Sequence, residues 1–160
     1  MKRIIVISDT HGSMKGVEKL LPLIEENDIV VHLGDGFGEA RKLLGSYPDK
    51  AYICAGNCDF SVSFPSEGIL EVEKLRVLYC HGHQYGVKSG LTQLAFEAKR
   101  RGCDIALYGH THIPNIKEIY GVILINPGSA KYPVDQGGSY CYLVIHEDKA
   151  TPVLVGESVR

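Results

Sequence analysis

The sequence predicts a mixed α/β chain with more strand than one short sheet needs. Two β-sheets packed face to face, with helices outside them, are the natural solution. Three observations carry this. Up to residue 55, short apolar, largely β-branched runs alternate with stretches of helical periodicity. From residue 113 on, helix signals vanish and strands joined by tight turns take over. Successive apolar runs also end in Asp, Asn or His, usually beside glycine, as strands do where an open α/β sheet carries a site at their carboxyl ends.

Residues 4–7 are a continuous Ile-Ile-Val-Ile run, the pattern of a strand buried on both faces, and Ser8-Asp9-Thr10-His11-Gly12 follows at once. Asp9 and His11 sit two apart, so in an extended segment both side chains face the same side. Val17, Leu20, Leu21 and Ile24 predict a helix over 14–26, with Pro22 kinking it or ending it early. A strand over 29–33 leads into Gly34-Asp35. A short helix over 39–44 is closed by Gly45 and Pro48, and a strand over 51–55 leads into Gly56-Asn57-Cys58-Asp59. This alternation predicts parallel pairing with right-handed crossovers.

Residues 69–72 and 75–80 then read as a hairpin around Glu73-Lys74, its second strand ending in His81-Gly82-His83. Leu91, Leu94, Ala95 and Ala98 predict a third helix over 89–101, stopped by Gly102, and a buried strand over 104–108 leads into Gly109-His110-Thr111-His112. Residues 116–119, 122–125, 139–145 and 151–155 read as antiparallel strands, with turns at Tyr120-Gly121 and Glu147-Asp148.

A chain of 160 residues fits one domain, 1–160, and 44% hydrophobic residues argue against disorder. The net charge is −2, and the one basic cluster, Lys99-Arg100-Arg101, falls at a predicted helix end where cations favour the dipole. Nucleic acid is therefore not indicated as a partner, and nothing resembles a signal peptide or a membrane span. The composition is compatible with a homo-oligomer but does not set its state. Five cysteines, mostly in apolar runs, predict reduced thiols and a cytoplasmic setting. Cys54 and Cys58 have no second pair at zinc-knuckle spacing.

The strand ends together offer Asp9, His11, Asp35, Asn57, His81, His110 and His112. Four imidazoles with carboxylate and amide oxygens are too many for one tetrahedral ion and suit two ions about 3.5–4 Å apart. Asp35, alone in its loop, is the natural bridge, and His110 and His112 could each face a different ion. Nitrogen and oxygen donors without thiolate favour manganese, iron, nickel, cobalt or zinc over calcium or magnesium. His32, inside an apolar strand, reads as a supporting or core histidine. Tyr47, Tyr52, Tyr79, Tyr85 and Tyr108 read as core or rim, and Phe37, Phe60 and Phe64 flank the candidate loops.

In order, Asp9-x-His11, Gly34-Asp35, Gly56-Asn57, His81-Gly82-His83 and Gly109-His110-x-His112 resemble the signature of the calcineurin-like metallophosphoesterases. Gly56-Asn57-Cys58-Asp59 and Asn126-Pro127-Gly128-Ser129 look most like its small, YfcE-like phosphodiesterase branch. The resemblance implies a four-layer fold, two mixed sheets between helices. It also implies a division of ligands: Asp9, His11, Asp35 and His112 on one ion, and Asp35, Asn57, His81 and His110 on the other, with manganese as the leading metal.

The function implied is a phosphodiesterase in which a metal-activated hydroxide attacks phosphorus in line, while Asn57 and the histidines fix the phosphate. The substrate is a small-molecule diester; no Arg stands in the motif loops to clamp a terminal dianion. Two other readings are a phosphomonoesterase or nucleotide pyrophosphatase, and a weakly catalytic scaffold like the retromer subunit of this fold. Many larger members carry histidine after the motif asparagine, where this chain has Cys58. That leaves Asp59 and His83 as the nearest candidates to protonate a leaving group.

Overall fold

The computed structural model describes residues 1–59, 64–156 and 159. The first half alternates as predicted: β1 (Lys2–Ile7), α1 (Lys15–Glu26), β2 (Ile29–His32), α2 (Phe37–Ser46) and β3 (Ala51–Ile53). β1, β2 and β3 are parallel neighbours, with Ile7 level with His32 and His32 with Ile53. Next come β4 (Glu67–Val72), β5 (Leu75–Cys80), α3 (Thr92–Arg100), β6 (Ile105–Leu107), β7 (Asn115–Ile119), β8 (Val122–Asn126), β9 (Tyr140–His146) and β10 (Lys149–Val155).

The strands form two five-stranded sheets, ordered β10-β9-β1-β2-β3 and β4-β5-β6-β8-β7. The hairpin expected at Glu73-Lys74 is present as β4–β5. The four late strands are two antiparallel hairpins, β7–β8 and β9–β10, but they go to different sheets. β8 also lies parallel to β6, and β9 antiparallel to β1.

Burial shows why four layers form. Alternate residues of each central strand face opposite ways. Ile4, Val6 and Val31 from one sheet meet Val77, Ile105 and Leu107 from the other in a core between the sheets. Ile5, Ile7 and Val30 point outward and are covered by Val17, Leu20 and Ile24 of α1 and Ala40 and Leu43 of α2. Leu78, Ala106 and Leu124 are covered by Leu94, Ala95 and Ala98 of α3. This is the two-sided burial that the continuous apolar runs require.

α1 ends at Glu26 as predicted, whereas α2 differs at both ends and α3 begins at Thr92 and not at residue 89. Pro22 does not end α1; it is exposed, and its missing N–H falls where water can serve the carbonyl left free. α2 starts earlier than expected, at Phe37, and runs through Gly45 to Ser46, because burial of Ala40 and Leu43 outweighs the roughly 1 kcal/mol that glycine costs inside a helix. Among the described residues no helix is long and apolar enough to cross a membrane.

Candidate metal centre

Six parallel strands, three in each sheet, run the same way within their sheet: β1, β2 and β3, and β5, β6 and β8. Their carboxyl ends are tied to neighbours within each sheet and, through the loop after β8, across the sandwich. Asp9 N–H donates to Gly34 O at 2.9 Å, Gly109 N–H to His81 O at 2.8 Å, and Ala130 N–H to Ser8 O at 2.9 Å. The predicted ligand loops therefore meet at one edge.

These loops do not continue as extended chain, as the spacing of Asp9 and His11 suggested. Asp9, His11, Asp35, His110 and His112 all have positive φ, between 46° and 71°. The other described non-glycine residues in that region are Glu73, Tyr120 and Glu147, all at hairpin turns. Left-handed backbone is unfavourable for such residues and persists where the surroundings enforce it, typically at functional sites. Asp9 and His11 converge because the chain reverses at each of them, and not through strand alternation.

Two groups of donor atoms result. Asp9, His11 and His112 form one, and Asp35, His81 and His110 the other, the atoms of each lying within 4.8 Å of one another. In the first, Asp9 Oδ1 is 3.2 Å from His112 Nε2 and 3.5 Å from His11 Nε2. In the second, Asp35 Oδ2 is 3.2 Å from His81 Nε2, which is 3.1 Å from His110 Nδ1. Asp35 Oδ2 also stands 4.0 Å from His11 Nε2, and Asp9 Oδ1 3.9 Å from His81 Nε2, so each group's carboxylate faces the other group.

The chemistry of these donors suits cations. His81 Nδ1 is 2.8 Å from Leu33 O, which can only accept, so Nδ1 carries a proton and Nε2 faces Asp35 and His110. Burial would lower the pKa of His81, but the hydrogen bond with Asp35 and the charges of Asp9 and Asp35 raise it. Asp35 is buried too, yet His81, the Cys58 N–H and the charge of His11 hold it well below the usual carboxylate range. His11 Nε2 and His112 Nε2, both lone-pair donors in a metal site, approach to 3.0 Å. Asp9 Oδ1 is fully buried without a hydrogen-bond partner among the described residues. A buried carboxylate oxygen facing imidazole nitrogens is costly unless a cation joins them.

The surrounding residues fix the donors. Ser8 Oγ donates to Asp9 Oδ2 at 2.5 Å, and the His110 N–H reaches the same oxygen at 3.1 Å. Asn126 donates to Gly109 O and Thr111 Oγ1 and accepts from the Gly128 N–H, while Ser129 Oγ donates to Asp9 O at 2.7 Å. Thus Asn126-Pro127-Gly128-Ser129, noticed only through a resemblance, braces the loops of Asp9 and His110. Ser8, beside Asp9 but apolar in its strand context, gave no separate signal. Gly56 permits a close approach, since a Cβ there would lie 2.1 Å from Asp35 Oδ1.

His32 supports the site, as expected of it. Its Nδ1 accepts from the Gly34 N–H at 3.1 Å, so Nε2 carries the proton and donates to Thr10 Oγ1 at 3.0 Å. Full burial lowers its pKa to about 4.

Asp59 has a different place from that of a proton donor. Its carboxylate accepts the N–H groups of Gly56 (2.7 Å), Asp35 (2.8 Å) and Gly36 (3.1 Å), stapling the second loop to the third. His83 is exposed at the rim, its ring 5.4 Å from that of His81 and 6.1 Å from that of His110. Burial and the neighbouring His81 charge lower its pKa. Asn57 is exposed, and its amide nitrogen lies 3.7 Å from Cys58 Sγ. Cys58 itself approaches His11 and Asp35, and partial burial and the Asp35 charge raise its thiol pKa. All five cysteines are free.

Two clefts meet at His11. One, of about 260 Å³, is lined by Asp35, Phe37, Glu39, Cys58 and Asp59; the other, of about 500 Å³, by His112, Ser129, Lys131, Tyr132 and Gly137. Phe37 packs on Phe64, ring centroids 5.3 Å apart, whereas Phe60 lies outside the described residues. Tyr47, Tyr52, Tyr79 and Tyr85 pack in or against the cores, and Tyr108 is buried.

Comparison with known proteins agrees with this geometry. The family model of the calcineurin-like phosphoesterase superfamily domain matches residues 1–149. The probable metallophosphoesterase YsnB of Bacillus subtilis is 34% identical over 151 residues, 92% of this chain and 87% of its own length. Phosphodiesterase YfcE of Escherichia coli is 27% identical over 87% of this chain and 84% of its own. A predicted phosphoesterase from Streptococcus pneumoniae superposes with a TM-score of 0.82 at 25% identity, covering 97% of this chain and 89% of that one. Vps29 of Chaetomium thermophilum shares the fold, with a TM-score of 0.79 at 19% identity and 97% of both chains covered. By fold, by loop signature and by these relatives, the chain belongs to the calcineurin-like phosphoesterase superfamily and stands with its small YfcE-like branch.

Proposed function

We propose that this protein is a phosphodiesterase that works with two divalent transition-metal ions, manganese first among them and nickel, zinc, iron or cobalt as alternatives. One observation carries the reading: two carboxylate–imidazole groups, Asp9-His11-His112 and Asp35-His81-His110, stand side by side with Asp35 between them. Asp9, His11 and His112 would hold one ion, His81 and His110 the other, and Asp35 both. Two such ions, when bound, supply Lewis-acid activation of the phosphoryl group and of the water that attacks it.

The chain's own residues do the rest. Ser8 and the His110 N–H orient the Asp9 carboxylate through Oδ2 and leave Oδ1 for the cation. Leu33 O fixes the His81 ring so that Nε2 faces the second group. Asp59 holds the loops of Asp35 and Asn57 at a constant separation. Asn57, on the open side of its loop, is assigned to the phosphate. With a neutral thiol at Cys58, no residue in that loop is a strong proton donor, which favours esters whose alcohol leaves unaided.

Two clefts meeting at His11 support a diester, whose phosphorus carries two organic arms, over a monoester with one. The name of the YfcE relative supports the same class. The scaffold reading draws on the fold shared with Vps29; gathered donors alone do not separate it from the enzyme, since a Vps29 of Entamoeba histolytica is complexed with zinc, and turnover does. The test is hydrolysis of bis(4-nitrophenyl) phosphate and 4-nitrophenyl phosphate by metal-stripped protein, with manganese, nickel and zinc added separately. Metal-dependent turnover with the diester preferred is expected. No turnover with any metal would favour the scaffold, and a preferred monoester would favour the phosphatase.

A further inference from the structure

The two clefts beside the centre differ in charge. The smaller is lined by Asp35, Glu39 and Asp59, so an anionic group on a substrate arm is disfavoured there. Among the described residues the larger has no acidic residue in its lining and contains Lys131. Among the described residues Lys131 has no ion-pair partner; its Nζ lies 5.6 Å from the centre of the Tyr132 ring. Tyr132 is 50% exposed; Tyr120 and Phe96 are more so, but Tyr132 is the one that lines a cleft shared with His11 and His112.

The backbone that presents these two side chains is firmly held. The Ala130 N–H donates to Ser8 O at 2.9 Å, and the Lys131 N–H reaches Ser129 Oγ, which is itself bonded to Asp9 O. The Tyr132 carbonyl is so closely packed that a Cβ on Gly16 would lie 2.8 Å from it and one on Gly138 1.7 Å. A cation and an aromatic ring are thus fixed relative to His11 and His112 by main-chain contacts, while their side chains stay open to the cleft. Neither residue stood out in the sequence, because they follow the last motif and belong to no strand or helix.

We propose that the larger cleft seats one arm of the diester, Lys131 pairing with a second anionic group on that arm and Tyr132 receiving a planar ring, so that the preferred arm is a nucleotide. This rests on the phosphodiesterase reading and names the substrate class for it. Arginine in place of Lys131 would keep the charge, and methionine would keep the length without it.

The experiment uses three diesters that release the same 4-nitrophenolate: the methyl ester, the thymidine 5′-ester and its 3′-phosphorylated form. Water adds across the P–O bond to the nitrophenolate in each, so only the retained arm varies. In the wild type kcat/KM should rise from methyl to thymidyl to 3′-phosphothymidyl. Lys131→Met should lower the ratio of the last two about tenfold, the order of one charge-assisted contact at a partly open site, and Lys131→Arg should restore it. Tyr132→Ala should lower the thymidyl-to-methyl ratio. Lys88→Met serves as a control for general field effects, since the Lys88 charge reaches His110 from outside this cleft.

A ratio that Lys131→Met leaves as in the wild type, or that Lys88→Met lowers equally, would overturn the proposal. If the wild type hydrolysed none of the three, the phosphodiesterase reading would fail, and calorimetric binding of thymidine 3′,5′-bisphosphate to metal-loaded protein would decide the subsite. About tenfold weaker binding in Lys131→Met would sustain it; equal affinities, or no binding by the wild type, would overturn it.

Discussion

Asp59→Asn separates two roles for the same carboxylate. As a staple, Asp59 accepts two N–H groups on Oδ2, from Gly56 and Asp35, and one on Oδ1, from Gly36. Asparagine keeps a single acceptor oxygen. If it faces Gly56 and Asp35, the Gly36 donor meets an amide NH₂ instead and loses its partner, a loss of about 1–1.5 kcal/mol. The two remaining bonds lose their charge assistance, roughly half their strength, for a further 1–1.5 kcal/mol or so. The total of about 2–3 kcal/mol corresponds to a Tm lowered by roughly 5–10 °C in a domain of this size. The variant should also bind metal more weakly, because Asp35 moves with the loop. Denaturation and metal titration measure both effects. The kcat/KM ratio for an aryl and an alkyl diester should stay constant at saturating metal. The reasoning is refuted by a variant as stable as the wild type that loses only its alkyl-diester activity, since that is the signature of a proton donor.

Three further outcomes follow from the same geometry. Asp35→Asn, between both donor groups, should reduce kcat/KM at saturating metal by more than His112→Ala, which touches one; kinetics giving the reverse order would remove Asp35 from the bridge. Cys58→His should raise turnover of an alkyl diester relative to an aryl one, within the roughly 10²–10⁴-fold range of general acid catalysis; an unchanged ratio in folded, metal-loaded protein would mean that protonation is not limiting or is supplied elsewhere. His32, with its folded pKa lowered by full burial to about 4 from the ordinary 6.5, binds its proton more readily in the unfolded chain. Its contribution to stability is therefore complete above pH 6.5 and is lost as pH falls from 6.5 towards 4, by roughly 3 kcal/mol. Urea denaturation across that window should show a shallower pH slope in His32→Gln, and an identical slope would contradict the neutral, buried assignment.

The order of elements was legible because two-sided burial leaves an unmistakable trace. The β-branched runs before Asp9 and Asp35 are central strands and parallel neighbours, whereas the run before Asn57 pairs parallel to them at the edge of the same sheet. The late strands were legible one by one, but not their division between the sheets: alternation in β9 says that one face is buried without saying against what. Donor identity was readable from glycine-flanked polar residues after apolar runs, whereas their convergence was argued from the wrong backbone. Left-handed turns at Asp9, His11, Asp35, His110 and His112 bring them together, and such conformations at non-glycine residues are imposed by tertiary contacts. The same limit explains Asp59, which resembles a proton donor in sequence and becomes a staple through bonds to residues over twenty positions away.

The claim on which the account depends is that five loops build one site for two cations, and metal counting tests it most directly. Protein stripped with chelator, reconstituted in turn with manganese, nickel and zinc and freed of excess ion, is analysed for bound metal per chain. About two ions per chain are predicted for the wild type, with fewer in His112→Ala and in His81→Ala. A wild-type chain that retains none of the three metals, while folded, would contradict it.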